Sequence, residues 1–238
     1  MFDEMCKRHQ ITYFIYGGTL LGSFRHHDLI SWDDDVDVII PVKQKPLLID
    51  AMQNIENKYK LVTTSREHFK IYSKQKSEIM NLYFDWAWPY LDVSFYGENS
   101  THIWDIAETY GRSYEYQKGY IFPLHLRPLG KLWLPSPRDS YAYLYYTYGA
   151  SDDCAMNHYV HKIEMVVWCK ELKRKCNKLK HKYPFVFREE AKGGVKETLK
   201  MNGTVIHSYI VHEPTYAVTK PYSLFLDEKV YRKHFNKG

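Results

Sequence analysis

Aspartates are concentrated in one short stretch of the sequence. Asp33, Asp34, Asp35 and Asp37 fall within five residues and lead into the apolar residues 38–40. Side chains two apart in a strand point to the same side, which places the Cα atoms of Asp35 and Asp37 about 6.5 Å apart on one face. Two such carboxylates repel each other unless a cation lies between them. Mg²⁺, which binds one or two carboxylates together with substrate phosphates, is the natural partner.

A third aspartate extends this candidate site. Asp92 lies inside the apolar stretch 90–96, where an unpaired carboxylate costs several kcal/mol. It therefore forms either a structural salt bridge or part of a metal site. If its stretch is a strand beside residues 35–42, Asp92 can bind the metal or take a proton from an attacking hydroxyl.

A glycine pair precedes the aspartates. Gly17 and Gly18 end the apolar residues 11–16 and come just before a predicted helix. Without side chains, they let backbone N–H groups and the helix N-terminus approach an anion closely, and Thr19 adds a hydroxyl donor. Such a pair alone is also typical of an ordinary turn.

The elements that must position these residues follow from hydrophobic periodicity. Strands are predicted over residues 11–16, 35–42, 61–64, 68–73, 80–86 and 90–96, and loops over 120–135. Helices are predicted over residues 1–10, 19–24, 47–58, 140–148 and 161–183. The last helix has an apolar stripe and a basic opposite face, which indicates a solvated surface helix or a contact with an anionic donor, glycan or membrane.

Charge divides the chain into two unlike parts. The 238 residues carry a formal net charge of +5, which is −4 over residues 1–156 (16 Lys and Arg, 20 Asp and Glu) and +9 over residues 157–238 (17 and 8). A polynucleotide-binding enzyme needs basic charge near its acidic site, so this distribution argues against nucleic acid as a partner. No apolar run reaches the roughly 18–20 residues that span a bilayer.

Four cysteines are present: Cys6, Cys154, Cys169 and Cys176. Their spacing matches no zinc motif, and on the predicted last helix Cys169 and Cys176 would lie about 10.5 Å apart along the axis, too far to bridge. They are therefore expected to be small buried hydrophobic residues.

The motifs around the aspartates resemble those of the LicD family of phosphotransferases, which includes fukutin and fukutin-related protein. The shared pattern is a GGTLLG turn, an Arg-His pair and a WDDDhDh segment, with h apolar; here these are residues 17–22, 25–26 and 32–38. Ser31 stands where the family usually has proline, and Leu91-Asp92-Val93 is similar to a later family strand. The resemblance covers about residues 5–156 and is strong over residues 13–42.

This resemblance implies a transfer reaction. Family members move a phospho-alcohol, such as phosphocholine or ribitol phosphate, from a CDP-activated donor to a hydroxyl of a glycan or glycoprotein, and CMP leaves. By resemblance, Asp35 and Asp37 hold Mg²⁺ (or Mn²⁺), and Asp92 is the third ligand or the general base.

The resemblance also suggests how the donor binds. Gly17, Gly18 and Thr19 would hold its phosphates. Arg25 would bind a phosphate oxygen or pair with the aspartates, and Trp32 would stack on the cytosine or pack in the core.

The implied fold is α+β, a nucleotidyltransferase-like mixed sheet of the DNA polymerase β palm type flanked by helices. We expect a catalytic domain over residues 1–156 and a basic, helical C-terminal extension over residues 157–238, packed on the same domain. Membrane association is expected only through a segment that this sequence lacks. The lumen of the Golgi or endoplasmic reticulum is expected for a eukaryotic secretory-pathway member, and the cytoplasm otherwise.

Two rival functions remain at this level. A sugar-nucleotide glycosyltransferase would share Mg²⁺ and the Asp-Val-Asp motif, but would need neither the glycine pair nor Asp92. A catalytically silent glycan-binding or scaffold relative would keep the fold without turnover, although its carboxylates would then have no function to preserve.

Overall fold

The structure, a computed structural model, describes residues 1–64, 67–107, 114–149, 151–155, 159–168 and 173–218. Its helices are α1 (Phe2–Arg8), α2 (Gly17–His26), α3 (Lys45–Gln53), α4 (Lys118–Ile121) and α5 (Ser140–Tyr148). The four helices predicted before residue 150 are all present, with shifted ends. Gly149 ends α5 at φ +67°, a conformation that glycine adopts at little cost. Among the described residues no helix is both long and apolar enough to cross a bilayer.

A seven-stranded mixed sheet carries the core. Its strands are β1 (Phe14–Ile15), β2 (Asp37–Pro41), β3 (Tyr59–Thr63), β4 (Phe69–Ser73), β5 (Tyr90–Glu98), β6 (His102–Asp105) and β7 (Glu115–Gln117). The order is β1-β2-β5-β4-β3, with β6 and β7 continuing from the far end of β5. Only β2 and β5 run parallel, and every other pair is antiparallel. Buried residues of β2 and β5, including Ile40 and Val93, form the core with α2 and α3. The predicted α+β class with a mixed sheet is confirmed.

Two local predictions before residue 150 are wrong. Residues 80–86 form turns instead of a strand, since Leu82 and Tyr83 are more than nine-tenths exposed. Residues 120–135, predicted as loops, contain α4 and a hairpin of β8 (His125–Leu129) and β9 (Leu132–Ser136). A two-stranded hairpin has two free edges, which is why it tolerates its prolines.

The helix predicted over residues 161–183 is also wrong where the structure describes it, over residues 161–168 and 173–183, and residues 169–172 lie outside the described residues. Four short strands, β10 (Asp153–Ala155), β11 (Tyr159–Val160), β12 (Met165–Val166) and β13 (Lys173–Lys175), form two pairs, β10 with β13 and β11 with β12. A disulfide between Cys154 and Cys176 fastens the first pair, so these two cysteines are not merely buried thiols. Cross-strand pairing and this bond override the helical periodicity. Cys6 is free and buried, as predicted, and Cys169 lies outside the described residues.

The basic C-terminal region is mainly β-structure where the structure describes it, and the predicted helical character is wrong there. Strands β14 (Phe185–Ala191), β15 (Gly194–Met201) and β16 (Thr204–Val211) form an antiparallel sheet. Two successive hairpins pair these strands, and a search for helical periodicity does not detect hairpins. The boundary drawn at residue 156 stays a prediction.

A buried ionic network joins this sheet to α2 and β8. Glu197, which is fully buried, accepts hydrogen bonds from Arg127 (2.8 Å) and Arg188 (2.8 Å), and its Oε2 lies 2.8 Å from Nε2 of His27. Arg188 also donates to the carbonyl oxygen of Phe24 near the end of α2. Burial alone would raise the pKa of Glu197, but Arg127, Arg188 and His27 outweigh it and hold that pKa far below its ordinary value.

We expect Glu197→Gln to lower the free energy of unfolding by about 3–5 kcal/mol, because the buried guanidinium of Arg188 loses its carboxylate partner and that of Arg127 keeps only Glu213. Since the pKa of Glu197 is depressed in the folded state, its contribution is complete above the ordinary value of 4.5 and is lost as the pH falls below it. Urea denaturation between pH 3 and 7 measures both effects. Glu190→Gln, at an exposed position of the neighbouring β14, is the control. An equal loss in both variants would contradict this account.

The disulfide should stabilise the fold as well. It closes a loop of 22 residues, for which the chain-entropy estimate is roughly 3 kcal/mol. Adding dithiothreitol should therefore lower the melting temperature of the wild type. The double variant Cys154→Ser/Cys176→Ser should start lower and not respond to the reductant; a response of the same size in that variant would show that another group is affected.

Candidate functional site

The pairing of β2 with β5 brings the predicted carboxylates together. In this parallel pair Asp37 is the register partner of Asp92, and Asp35 lies just before β2. Each of the three offers an oxygen that lies within 4.8 Å of those of the other two. Three carboxylate oxygens this close are a ligand set typical of Mg²⁺ or Mn²⁺.

The N-terminus of α2 lies directly against these acids. Gly17 begins the helix at φ +56°, and no side chain caps it. A Cβ atom on Gly18 would stand 2.8 Å from Oδ2 of Asp33, and one on Gly17 would stand 3.6 Å from Oδ2 of Asp37. The glycine pair therefore allows the helix end and the carboxylates to approach each other. The Oγ1 of Thr19 accepts the backbone N–H of Asp37 at 2.7 Å, which fixes the start of β2; its predicted contact with phosphate stays a prediction.

The acids are crowded and incompletely neutralised. Burial and the neighbouring Asp35 raise the pKa of Asp33 to about 7. Burial also raises the pKa of Asp35, and burial together with Asp35 and Asp92 raises that of Asp37 well above its ordinary value. A carboxylate that resists ionisation in this way gains most from a bound cation.

Lys70 is the cation that the chain itself supplies. It lies opposite Asp92 in the pairing of β4 with β5 and donates to both of its oxygens, at 2.8 and 3.0 Å. Burial raises the pKa of Asp92, and Lys70 opposes that shift. Its Nζ lies 3.6 Å from the centre of the Tyr90 ring and 3.7 Å from Glu164. Asp92 therefore forms the salt bridge that was one of its two predicted roles, and it does so within the group of carboxylates.

Two residues from the C-terminal region join the site and were not predicted. His161 places Nδ1 2.9 Å from Asp34 and Nε2 3.2 Å from Asp35. Glu164 accepts hydrogen bonds from the side chains of Trp86 (2.8 Å) and Tyr90 (2.5 Å). Both lie in the turn between β11 and β12, where the sequence predicts a helix instead. Nothing in the local sequence indicates that this turn reaches β2.

Asp34 holds the turn in place. Its carboxylate accepts the backbone N–H groups of His161 (3.2 Å) and Lys162 (2.8 Å). Asp34 therefore anchors this turn to the segment before β2. Asp33, Asp35 and His161 make a second group whose potential ligand atoms all lie within 4.8 Å of one another.

The site opens into a cavity of about 620 Å³. Its walls include Gly17, Gly18 and the aspartates Asp33, Asp35 and Asp37 at one part, and a set of aromatic side chains at another. A cleft of this size suits a nucleotide-sized or drug-sized ligand.

Arg25 and Trp32 also line the cavity. Arg25 donates to the carbonyl oxygens of Asp153 (3.1 Å) and Ser151 (3.5 Å), and its Nε is buried with no partner. It makes no ion pair with the aspartates among the described residues. The Trp32 Nε1 donates to Ala155 O at 3.1 Å, and its ring meets that of Tyr183 edge to face at 5.1 Å. Trp32 therefore packs at the rim, and its stacking on a base stays a prediction.

Comparisons with known proteins agree with these motifs. A sequence profile described as "LicD/FKTN/FKRP, nucleotidyltransferase domain" matches residues 10–139, more than half of the chain. The chain is also similar to the lipopolysaccharide cholinephosphotransferase LicD of Haemophilus influenzae, with 29% identity over 80 residues. That match covers 34% of this chain and 30% of the relative, so the chain matches less than a third of the relative's length.

The close approach at Gly18 can be tested by Gly18→Ala. Alanine suits a helix better than glycine, by about 0.5–1 kcal/mol, but its Cβ displaces the Asp33 carboxylate. We therefore expect an unchanged or higher melting temperature together with weaker Mn²⁺ binding in calorimetry. Gly119→Ala, in α4 with open space around it, is the matched control and should keep the wild-type affinity. Equal Mn²⁺ affinity in the two variants would contradict the prediction.

Proposed function

Because this chain belongs to the LicD/FKTN/FKRP nucleotidyltransferase-domain family, we propose that it transfers a phospho-alcohol from a CDP-activated donor to a glycan hydroxyl, releasing CMP. The observation that carries the proposal is the group of Asp35, Asp37 and Asp92 beside the uncapped N-terminus of α2. A relative named as a lipopolysaccharide cholinephosphotransferase supports a transferase with a phospho-alcohol and a glycan as substrates. We also propose that the mixed sheet is a nucleotidyltransferase palm of the polymerase β type.

The residues present fit a divalent cation. Asp35, Asp37 and Asp92 supply oxygen ligands, and the raised pKa values of all three show negative charge that Lys70 does not balance. We propose that these residues hold Mg²⁺ or Mn²⁺. When bound, the cation would neutralise the diphosphate and polarise its phosphorus–oxygen bonds.

The helix end and one arginine would hold the phosphates. The first N–H groups of α2, at Gly17, Gly18 and Thr19, have no partner within the helix. Gly17 and Gly18 line the cavity at the positive end of the helix dipole. Arg25, at the other end of the helix, has an unpartnered Nε and two nitrogens already held by backbone carbonyls. It would place a fixed positive charge on the cavity wall.

The transfer itself needs alignment and one proton acceptor. The acceptor hydroxyl oxygen bonds to the phosphorus that carries the alcohol, while the bond from that phosphorus to the bridging oxygen of CMP breaks. The hydroxyl proton passes to a carboxylate, and CMP leaves with the negative charge of the broken bond. We assign the proton to Asp92, whose two oxygens Lys70 orients toward the cluster.

We propose an oxidising compartment for this chemistry. The Cys154–Cys176 disulfide persists in such compartments and is reduced in the cytosol. The chain also has two N-glycosylation sequons, at Asn99 and Asn202, and both asparagines lie exposed at turns between strands.

The proposed function is tested by CMP release. With Mg²⁺ and a glycan acceptor, we expect CMP from at least one of CDP-choline, CDP-ribitol and CDP-glycerol, measured by chromatography. Removing Mg²⁺ with EDTA should abolish the release. Asp37→Asn should lower it by about a thousandfold or more, since charge stabilisation of the transferring group is the main catalytic effect.

Asp50→Asn, at an exposed position of α3, is the matched control and should keep wild-type turnover. UDP release from UDP-sugars, with none of CMP, would instead identify a glycosyltransferase. Turnover of no donor by a folded, Mg²⁺-binding protein would indicate the scaffold alternative.

A further inference from the structure

The cavity extends beyond the aspartates into a compartment with mainly aromatic walls. We call it the aromatic chamber, and its walls are Tyr16, Tyr96, Trp104, Tyr116, Tyr143 and Tyr148. We propose that the aromatic chamber holds the positively charged, ammonium-bearing end of the transferred alcohol, with Asp105 as its counter-ion. This inference rests on the proposed function, and it distinguishes an alcohol such as choline from an uncharged polyol such as ribitol.

The aromatic chamber is continuous with the phosphate end of the site. Tyr148 interacts electrostatically with Asp37 and Asp33 of the acidic cluster and with Tyr116 of the chamber. The rings of Tyr116 and Tyr143 stack at 4.2 Å between centroids, so they form one rigid wall. A donor whose diphosphate lies at the N-terminus of α2 can therefore extend its alcohol into the chamber without leaving the cavity.

Asp105 is an unusual residue for such a wall. It lies at the end of β6, opposite Tyr96 in the register, and only 6% of its surface is exposed. Its Oδ1 accepts the backbone N–H of Ala107 at 2.8 Å. In the part of the chain that the structure describes, no Lys, Arg or His pairs with it. Burial raises the pKa of Asp105 to about 6, as expected for a carboxylate whose charge lacks a partner.

Two hydroxyls of the aromatic chamber already have hydrogen-bond partners in the protein. The hydroxyl of Tyr16 is hydrogen-bonded to Ser94 at 2.5 Å, and that of Tyr116 to Thr147 at 2.7 Å. Thr147 in turn donates to the carbonyl oxygen of Tyr143 at 2.9 Å. Ring faces satisfy none of the hydrogen bonds that a polyol needs when it leaves water. What the chamber offers is ring faces and one buried negative charge.

Ring faces and a carboxylate together suit an organic cation. Aromatic faces attract quaternary ammonium groups through their quadrupole, by about 2 kcal/mol or more when the group is desolvated. Methyl groups on nitrogen make van der Waals contact with the rings and require no hydrogen bond. A buried carboxylate without a partner supplies the balancing charge.

The test separates the effect of the alcohol's positive charge from the effect of its size and shape. CDP-choline is compared with CDP-3,3-dimethylbutanol, in which carbon replaces the nitrogen, so that size is kept and charge removed. With the full chain, Mg²⁺ and acceptor, we expect kcat/KM for CDP-choline to exceed that for the neutral isostere at least about tenfold, and also to exceed that for CDP-ribitol. This comparison needs no variant and so does not depend on a mutant folding.

Asp105→Asn then assigns the counter-ion. Asparagine keeps an acceptor for the Ala107 N–H and loses the charge, so the preference for choline over the isostere should fall at least about tenfold, and Asp50→Asn should leave it unchanged. Loss of activity toward both donors in equal measure would overturn the role of Asp105. Preference for CDP-ribitol, or equal use of CDP-choline and its isostere, would overturn the whole inference.

A binding measurement separates this inference from the proposed function. Calorimetry with Mg²⁺ and either phosphocholine or 3,3-dimethylbutyl phosphate should show tighter binding of phosphocholine, whether or not CMP is released. If no CDP donor is turned over but this preference is observed, the proposed function fails and the cation site stands. If CDP-alcohols are turned over without the preference, the cation site fails and the function stands.

Discussion

The parallel pairing of β2 with β5 places carboxylates side by side, and the surrounding structure depends on offsetting their repulsion. The apolar residues of both strands bury themselves in one core, and this fixed register brings Asp37 beside Asp92. The free energy gained by burying the two strands is far larger than the repulsion energy between the carboxylates, so the fold keeps the carboxylates together. Each neighbouring element offsets part of the repulsion. β4 supplies Lys70, α2 supplies its positive end, and the remaining charge is left for a cation and an anionic substrate.

Helix α2 connects this site to the rest of the chain. Its N-terminus faces the carboxylates, and its last turn contacts the C-terminal sheet through His27 and through the carbonyl of Phe24, which accepts from Arg188. A ten-residue helix is stiff over this length, so the ionic network around Glu197 fixes where the glycine end lies. At that end, a Cβ atom on Gly18 would stand 2.8 Å from Oδ2 of Asp33. The C-terminal sheet therefore contributes to the geometry of the site without lining it.

The parts that the sequence predicts well are those that depend on local periodicity. Alternation along a strand was enough to place Asp35 and Asp37 together, and the glycine pair was enough to predict a helix end beside them. Asp92 required the further assumption that its strand lies beside β2, and the structure has that pairing. The β11–β12 turn, with His161 and Glu164, and the bond between Cys154 and Cys176 depend on contacts between distant residues. The sequence over residues 165–179 has a helical stripe, yet its described residues 165–166 and 173–175 lie in short paired strands, and only tertiary contacts decide between the two.

The cavity separates two kinds of chemistry along its length. Near α2, carboxylates and the positive helix end line the cavity and can bind ions of either sign. In the aromatic chamber the walls are mainly rings, and the hydroxyls of Tyr16 and Tyr116 are hydrogen-bonded to Ser94 and Thr147. A ligand with an anionic group beside a weakly hydrated end suits both parts, since ring faces do not replace the water that a strongly hydrated end would lose. An isolated carboxylate in the aromatic part adds a further requirement. Burial has removed the water that would otherwise screen the charge of Asp105. That charge therefore favours binding of a cationic group in the chamber over binding of an uncharged one.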